Sequence, residues 1–137
     1  MTPLQDRIVT EALTWVGTPF HHNQSVRGIG ADCIGVVGGI ALACGIKLDD
    51  MPHAYPKTPN GTLKPWLDSH LITVGGWPQP GDVLLMSFEG DPHHVAMAIN
   101  FALIIHSYAA VRRCLVQEYD THWQQKTKCM YRFRELA

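Results

Sequence analysis

The sequence predicts an α+β fold, with helices in the first half of the chain and an antiparallel sheet in the second. Before residue 50, apolar residues recur at helical spacing, whereas after Pro80 they alternate with a period of two. The segments of the second half are separated by short connections, which suit hairpins between antiparallel strands. The length of 137 residues favours one domain, 1–137, around a single core.

The first helix is predicted over residues 3–16. Thr2 and Gln5 form a capping-box pattern around Pro3, a residue that suits the first helical position. Apolar side chains follow at helical spacing as far as Gly17, which is typical of the position after a helix end. The next stretch, GTPFHHNQSVRGIGA, has several breakers and no period, so we predict a loop there.

The second helix is predicted to begin at Cys33, after Asp32 as its N-cap, and to be closed by Gly45. One face of this helix carries Cys33, Val37, Ile40 and Cys44. The internal pair Gly38-Gly39 costs about 1 kcal/mol per residue relative to alanine. We therefore expect another element to approach this helix closely at the two glycines.

The second half of the chain is predicted to contain a short helix and five strands. Prolines interrupt residues 46–80, where one helix is predicted near 62–70. After Pro80-Gly81, the predicted strands are 82–88, 94–100, 102–108, 111–119 and 129–136. Because the helices come first and the strands follow as a meander, helices packed on an antiparallel sheet are the expected architecture.

Composition and charge exclude several function classes. Eleven basic and twelve acidic residues give a net charge of −1, so we expect neither nucleic acid nor a membrane as partner. The N-terminal segment lacks a signal-peptide pattern, and we expect synthesis in the cytoplasm. The cysteines show no CxxC spacing and are expected to be thiols, with Cys44, Cys114 and Cys129 in the core or sheet. No cofactor is expected.

Cys33 is the candidate nucleophile. If Asp32 caps the helix, Cys33 lies at the positive end of the helix dipole, where the pKa of a thiol falls and a thiolate forms. The small residues Gly30, Ala31 and Gly35 are expected to keep the approach to the sulfur open. The competing interpretation is a small buried apolar cysteine with no chemical role.

Two histidines of one predicted hairpin are the candidate partners of this thiol. With the turn centred on Asn100, His94 and His106 lie directly opposite each other on one face, with Cβ atoms about 5 Å apart. His94 would accept the proton of Cys33, and His106 would hold the His94 ring in the correct tautomer. A nucleophile, a base and a group that orients the base are thus all present.

Five short motifs, in this order, carry a resemblance to a known family. They are Gly17-Thr18-Pro19-Phe20, Asp32-Cys33-Ile34-Gly35-Val36, Pro80-Gly81-Asp82-Val83-Leu84-Leu85, His94-Val95-Ala96-Met97 and Ile105-His106-Ser107-Tyr108. In order and spacing they resemble the NlpC family of cell-wall cysteine peptidases, and most of all its short members encoded among phage tail and gene-transfer-agent genes. The resemblance covers nearly the whole chain.

The resemblance implies a papain-like fold, in which the nucleophile helix packs on an antiparallel sheet. It implies hydrolysis of peptidoglycan stem peptides, at the bond between γ-D-glutamate and a diamino acid, through a thioester. Matched by position, Cys33 is the nucleophile, His94 the base and His106 the residue that orients the base. The main-chain N–H of Cys33 would help to hold the oxyanion. The resemblance also suggests phage-tail proteins as partners and a place in a phage-like particle.

The chain departs from the family pattern at two positions. Phe20 stands where the family usually has Tyr and cannot donate a hydroxyl. The contribution of that hydroxyl is either lost or supplied by another residue, for which His22 and Gln24 are the candidates. Ile34 follows the nucleophile where many relatives have Ser, which we count as a minor change. We therefore expect the substrate site to be lined by Phe20, His22, Gln24 and Asp32.

Three other functions fit the same residues. Cys33, His94 and His106 could bind zinc with water as the fourth ligand, although no CxxC or HExxH motif supports a metal site. The fold could survive in a catalytically silent tail component. The same thioester could also pass its acyl group to an acceptor other than water.

Overall fold

The computed structural model describes residues 1–49, 51 and 61–137. These residues contain four α-helices, which are α1 (Pro3–Leu13), α2 (Cys33–Ala43), α3 (Leu63–His70) and α4 (Thr121–Lys126). They also contain eight strands, which are β1 (Ser25–Val26), β2 (Gly30–Ala31), β3 (Ile72–Val74), β4 (Val83–Met86), β5 (His94–Ala98), β6 (Leu103–Tyr108), β7 (Arg113–Glu118) and β8 (Thr127–Arg132). Position 50 and part of the proline-rich stretch, 52–60, lie outside the described residues.

Six strands form one sheet in the order β3-β8-β4-β5-β6-β7, and all neighbouring strands are antiparallel. Helices in the first half and an antiparallel sheet in the second confirm the predicted α+β class. The predicted meander is correct for β4 to β7. It is wrong for β8, which returns across the sheet and pairs with β4 on one side and β3 on the other.

The structure corrects several element boundaries. Helix α1 begins with the predicted capping box of Thr2 and Gln5 but ends at Leu13, three residues early. Its chain continues as a turn as far as Gly17, whose φ of +88° leaves the helical region. The final strand begins at Thr127 rather than at residue 129, and residues 134–136 form a 3₁₀ helix.

Four short elements were not predicted. The segment predicted as a loop contains the two-residue strands β1 and β2, which pair with each other. Strand β3 follows directly after α3, and α4 joins β7 to β8. These elements have between two and six residues, too few for a hydrophobic period to show in the sequence.

The predicted close approach to α2 is confirmed at both internal glycines. Gly39 faces the indole ring of Trp15, and a Cβ at this position would collide with that ring. Gly38 faces Met51, with the thioether sulfur 2.7 Å from the position that a Cβ would take. The two glycines therefore allow side chains from other segments to pack directly on the helix backbone.

The sheet presents a different set of side chains on each face. Residues with odd numbers in β4 to β6 pack against the helices, namely Val83, Leu85, Val95, Met97 and Ile105. Residues with even numbers form a second cluster with Tyr119 and Trp123, namely Leu84, Met86, Ala96 and Ile104. We call these the aliphatic face and the aromatic face. The even numbering of His94 and His106 places both histidines on the aromatic face.

Two further findings bear on the sequence-based expectations. All four cysteines are free thiols, and Cys44 and Cys114 are buried while Cys33 and Cys129 are half-buried. Along the part of the chain that the structure describes, none of the helices has the length and apolar character needed to span a membrane.

Candidate active site

Asp32 positions Cys33 by capping α2, as the sequence predicted. Its Oδ1 accepts a hydrogen bond from the Gly35 N–H at 2.8 Å, and its Oδ2 accepts one from the Asn23 N–H at 2.7 Å. Asp32 as a whole residue is only 3% exposed. Both oxygens are thus engaged by main-chain donors, and Cys33 becomes the first residue of the helix.

The glycines around Cys33 allow the preceding loop to lie against the start of α2. A Cβ at Gly35 would collide with the main-chain carbonyl oxygen of Gln24, and a Cβ at Gly30 would lie 2.5 Å from Gln24 Oε1. The sequence predicted that these small residues open the approach to the sulfur. Gly35 allows close packing between the loop and the helix, and Gly30 allows close packing within the loop. The open approach to the sulfur stays a prediction.

The sulfur of Cys33 lies beside the first residues of β5. Its Sγ is 3.9 Å from the main-chain carbonyl oxygen of His93, and the Val95 N–H also interacts with the thiol. These two groups flank His94 in the chain. Strand β5 pairs with β6 at Met97 and Ala98, so the Val95 main chain lies beyond the paired part of the two strands.

Burial raises the pKa of the Cys33 thiol to about 12. The N–H groups of Val95, Ile34 and Cys33 itself act in the opposite direction, while the carboxylate of Asp32 adds to the increase. The prediction of a lowered pKa and a resting thiolate is therefore wrong. Desolvation of the charged form outweighs the helix N-terminus, so the resting group is a neutral thiol.

His94 and His106 form a direct hydrogen bond, with 2.7 Å between His94 Nε2 and His106 Nδ1. They share a face, as predicted, but they do not lie directly opposite each other. The register pairs Ala98 with Ile104, and when continued it places His94 opposite Tyr108. The two rings therefore meet along the diagonal between neighbouring strands, because the turn is centred one residue later than Asn100.

Both histidines are buried, with exposures of 5% for His94 and 1% for His106. Desolvation holds the pKa of His94 well below its usual value, and the nearby His106 and His93 lower it further. Desolvation also lowers the pKa of His106, against a hydrogen bond to Gln117 that raises it. The two rings are consequently neutral imidazoles in the resting protein.

Aromatic side chains surround the histidine pair. The Phe88 ring lies 5.0 Å from His94, and the Trp123 ring meets His106 edge-on at 4.8 Å. Tyr108 stacks on His106, with 7° between the ring planes and 5.5 Å between the centroids. These rings exclude water from one side of the pair, which accounts for much of the desolvation.

Gln117 was not predicted as a site residue. Its Oε1 lies 2.9 Å from His106 Nε2. Gln117 pairs with Ile104 in the register between β6 and β7, so it is the diagonal neighbour of His106 on the same face. Alternation in the predicted strand 111–119 could have placed Gln117 on the same face as the histidines, but only if the register between β6 and β7 had been known.

The other predicted site residues lie in the segment that leads to α2. Phe20 is half-buried, and its N–H donates to the Arg112 carbonyl oxygen at 2.9 Å. His22 Nδ1 is 4.0 Å from Asp32 Oδ2. Gln24 and Asp32 help to line a cavity of about 430 Å³ beside α2, whose described lining does not include Cys33 or His94. A role of these four residues in binding substrate stays a prediction.

The geometry of the histidine pair does not fit the zinc alternative. His94 Nε2 and His106 Nδ1 point at each other across a hydrogen bond, so they do not converge on a common position for a cation. Nor does any group of three His, Cys, Asp or Glu side chains with metal-binding geometry occur among the described residues.

Comparison with solved structures identifies the fold. An NlpC/P60 family protein from Bacillus cereus matches with a TM-score of 0.72 and 24% identity, over 97% of this chain and 41% of that protein. The NlpC/p60 domain of the peptidoglycan hydrolase SagA matches with a TM-score of 0.67 and 20% identity, over 93% of this chain and 97% of that domain. The peptidoglycan hydrolase RipB from Mycobacterium tuberculosis matches with a TM-score of 0.68 and 14% identity, over 94% of this chain and 64% of that protein.

These matches confirm the expected papain-like NlpC/P60 architecture. This chain spans less than half the length of the Bacillus cereus protein. No family model matches the sequence, and no curated protein matches it. At these identities, the likeness concerns the fold.

Proposed function

We propose that this protein is a cysteine peptidase that hydrolyses peptidoglycan stem peptides, at the bond between γ-D-glutamate and a diamino acid. Cys33 is the nucleophile, His94 is the general base and acid, and His106 orients His94. The observation that carries this proposal is the position of the Cys33 sulfur, beside the main chain that flanks His94, at a helix N-terminus. The hydrogen bond between His94 and His106 supports the third role.

The proposed reaction starts from a neutral thiol and a neutral imidazole. Because the pKa of Cys33 is raised to about 12 and that of His94 is lowered, an ion pair between them is not the resting state. As the sulfur attacks the peptide carbonyl carbon, its proton moves to His94 Nδ1, the ring nitrogen not bonded to His106.

The remaining steps return the enzyme to its starting state. When the C–N bond breaks, His94 gives its proton to the leaving amine, and a thioester on Cys33 remains. Water then attacks the thioester carbonyl, His94 accepts a proton from that water, and the Cys33 thiolate recovers it as the C–S bond breaks. No oxidant, metal or second substrate other than water enters this balance.

The start of α2 supplies donors for the oxyanion. The main-chain N–H groups of Cys33 and Ile34 lie close enough to the thiol to lower its pKa. A carbonyl oxygen attached to that sulfur would lie at the same helix end, where the helix dipole favours negative charge. An oxyanion donor contributes about 3 kcal/mol in other enzymes.

The substrate class rests on two separate lines of support. The motifs around Cys33, His94 and His106 resemble those of cell-wall peptidases. SagA and RipB, whose folds this chain shares, are peptidoglycan hydrolases. The bond between γ-D-glutamate and a diamino acid is the finer part of the proposal, and it rests on the motif resemblance.

Association with a phage or phage-like tail is a further part of the proposal, supported by the resemblance to short tail-encoded members. The protein would then be made in the cytoplasm and reach the wall as part of a particle. Co-purification with tail proteins would support this part, and a protein that stays outside purified particles would contradict it. This outcome is independent of the chemistry at Cys33.

The test is mass spectrometry of defined muropeptides incubated with the protein under reducing conditions. Cys33→Ala is compared with Cys129→Ala, which removes a half-buried free thiol from β8. We expect cleavage after D-glutamate by the wild type and by Cys129→Ala, and none by Cys33→Ala. Absence of cleavage by all three folded proteins would contradict the peptidase and favour a silent tail component. Transfer of the acyl group to an added amine, without hydrolysis, would favour an acyltransferase.

A further inference from the structure

We infer that Gln117 is a positioning residue that fixes the tautomer of His94 through His106, so that His94 Nδ1 carries the lone pair facing the Cys33 side. This inference rests on the proposed function for its catalytic meaning. The tautomer itself is a property of the resting protein and can be measured without any substrate. Gln117 belongs to none of the five motifs that carry the family resemblance.

The direction of the hydrogen bonds follows from the amide oxygen of Gln117. Oε1 can only accept, so the His106 Nε2 at 2.9 Å must carry a proton and donate. In a neutral ring, His106 Nδ1 is then an acceptor. The His94 Nε2 at 2.7 Å must therefore be the donor of the second bond.

The last step concerns the far nitrogen of His94. With Nε2 protonated and the ring neutral, Nδ1 holds a lone pair. Nδ1 is also the ring nitrogen nearer the main chain of its own residue, and the Cys33 sulfur lies against the carbonyl of His93 and the N–H of Val95. One amide oxygen, two strands away, thus decides whether this nitrogen can accept a proton.

The opposite orientation of the amide shows why the assignment matters. If Gln117 presented its NH₂ group to His106, Nε2 would become an acceptor and Nδ1 a donor. His94 Nε2 would then have to accept, and His94 Nδ1 would carry a proton. That tautomer makes the same number of hydrogen bonds, but it has no lone pair available for the Cys33 proton.

The fold keeps the three side chains aligned. His94, His106 and Gln117 lie on the neighbouring strands β5, β6 and β7, and each is a diagonal neighbour of the next on the aromatic face. Tyr108 stacks on the His106 ring and Trp123 meets it at a right angle, and these two aromatic rings also contact each other at 5.3 Å. Because the ring is 1% exposed, water cannot readily replace Gln117 as its partner.

The experiment measures the ring-nitrogen chemical shifts of His94 and His106 by NMR in ¹⁵N-labelled protein. Three variants are compared: Gln117→Met removes the acceptor, Gln117→Glu keeps an acceptor at the same reach, and Gln125→Met makes the same change at an exposed site on α4. We expect an unprotonated His94 Nδ1 in the wild type, in Gln117→Glu and in Gln125→Met. In Gln117→Met, the signal should shift toward a protonated or averaged Nδ1.

Two results would overturn the inference. One is a protonated His94 Nδ1 in the wild type, and the other is an unchanged Nδ1 in folded Gln117→Met. If muropeptide cleavage is present, kcat should fall in Gln117→Met and recover in Gln117→Glu. We expect a fall of about 10- to 100-fold, the loss found when the hydrogen-bond partner of a metal-bound histidine is removed. If the wild type cleaves nothing, the proposed function fails while the tautomer measurement still decides the role of Gln117.

Discussion

The aliphatic and aromatic faces of the sheet are built for different tasks. The aliphatic face meets α2 with valine, leucine, methionine and isoleucine side chains that have no hydrogen bonds to satisfy. The aromatic face holds two buried histidines, together with Phe88, Tyr108 and Trp123. Burial of the aliphatic face stabilises the fold. Burial on the aromatic face also keeps water away from the two imidazoles, which lowers their pKa values and leaves them neutral.

In the proposed reaction, a helix and a sheet each supply one reacting group. Cys33 belongs to the helix that covers the aliphatic face, and His94 points to the aromatic face. The Cys33 sulfur contacts the main chain on either side of His94, at the end of β5 that pairs with β4 but not with β6. The site therefore lies at the edge between the two faces, and each half can be changed separately.

The largest effect is expected from the aromatic face. His94→Gln removes the proposed base while leaving Cys33 in place, and kcat/KM for muropeptides should fall by about 10³- to 10⁴-fold. His93→Gln is the matched control, because His93 contacts Cys33 through its main-chain carbonyl, which the substitution keeps. Equal losses in both variants would contradict the role of His94.

The next largest effect is expected when an aromatic side chain beside the histidine pair is removed. Trp123→Ala should lower the free energy of unfolding by about 3–5 kcal/mol, and Leu85→Ala on the aliphatic face by about 2–5 kcal/mol. Only Trp123→Ala should also raise the pKa of His106 toward its usual value, because water then reaches the ring. Urea denaturation and NMR titration measure the two effects. An unchanged pKa in Trp123→Ala would show that the aromatic face does not control the histidines.

A smaller effect is expected on the helix side. Gly39→Ala places a Cβ against the rigid indole of Trp15 and should destabilise the protein by about 1–3 kcal/mol. In Gly38→Ala, the new Cβ meets the flexible end of Met51, which can move aside. The better helix propensity of alanine offsets the cost of that movement, so stability should change little. Thermal unfolding separates the two variants. Equal melting temperatures would mean that the close approach of Trp15 is not required.

The smallest effect is a dependence of stability on acid pH. Because the folded pKa values of His94 and His106 lie below the ordinary value of 6.5, the unfolded chain binds more protons as the pH falls through that value. Their contribution is thus fully present above about pH 6.5 and is lost at lower pH. The melting temperature should decrease between pH 7.5 and 5.5. This decrease should be weaker in His94→Gln than in His122→Gln, which changes an exposed histidine on α4 and serves as the control. A melting temperature that rises on acidification would contradict the claim that His94 and His106 are neutral in the folded protein.

The sequence predicted the parts of the fold that follow a regular period. The start of α2 at Cys33, its N-cap Asp32 and the strands β4 to β7 lie where capping chemistry and alternation placed them. The return of β8 to the middle of the sheet was not predictable because it depends on long-range pairing, and the six-residue helix α4 is too short to show a hydrophobic period. The contact of Trp123 with His106 therefore has no counterpart in a sequence pattern.

At the site, residue types were easier to predict than their energetics. Alternation put His94 and His106 on one face, but a register error of two residues made them direct partners rather than diagonal ones. The helix N-terminus suggested a low pKa for Cys33, whereas the degree of burial, which no sequence pattern reports, raises it. Gln117 needed the register of a second hairpin.

The most direct test of the central claim is to trap the acyl-enzyme on Cys33. Muropeptide is mixed with protein, the reaction is quenched in acid during turnover, and the intact protein is weighed by mass spectrometry, followed by peptide mapping. The account predicts a mass increase equal to the acyl fragment that ends in D-glutamate, located on Cys33 and absent in Cys33→Ala. Product release by Cys33→Ala at the wild-type rate, or an adduct on another residue, would contradict it.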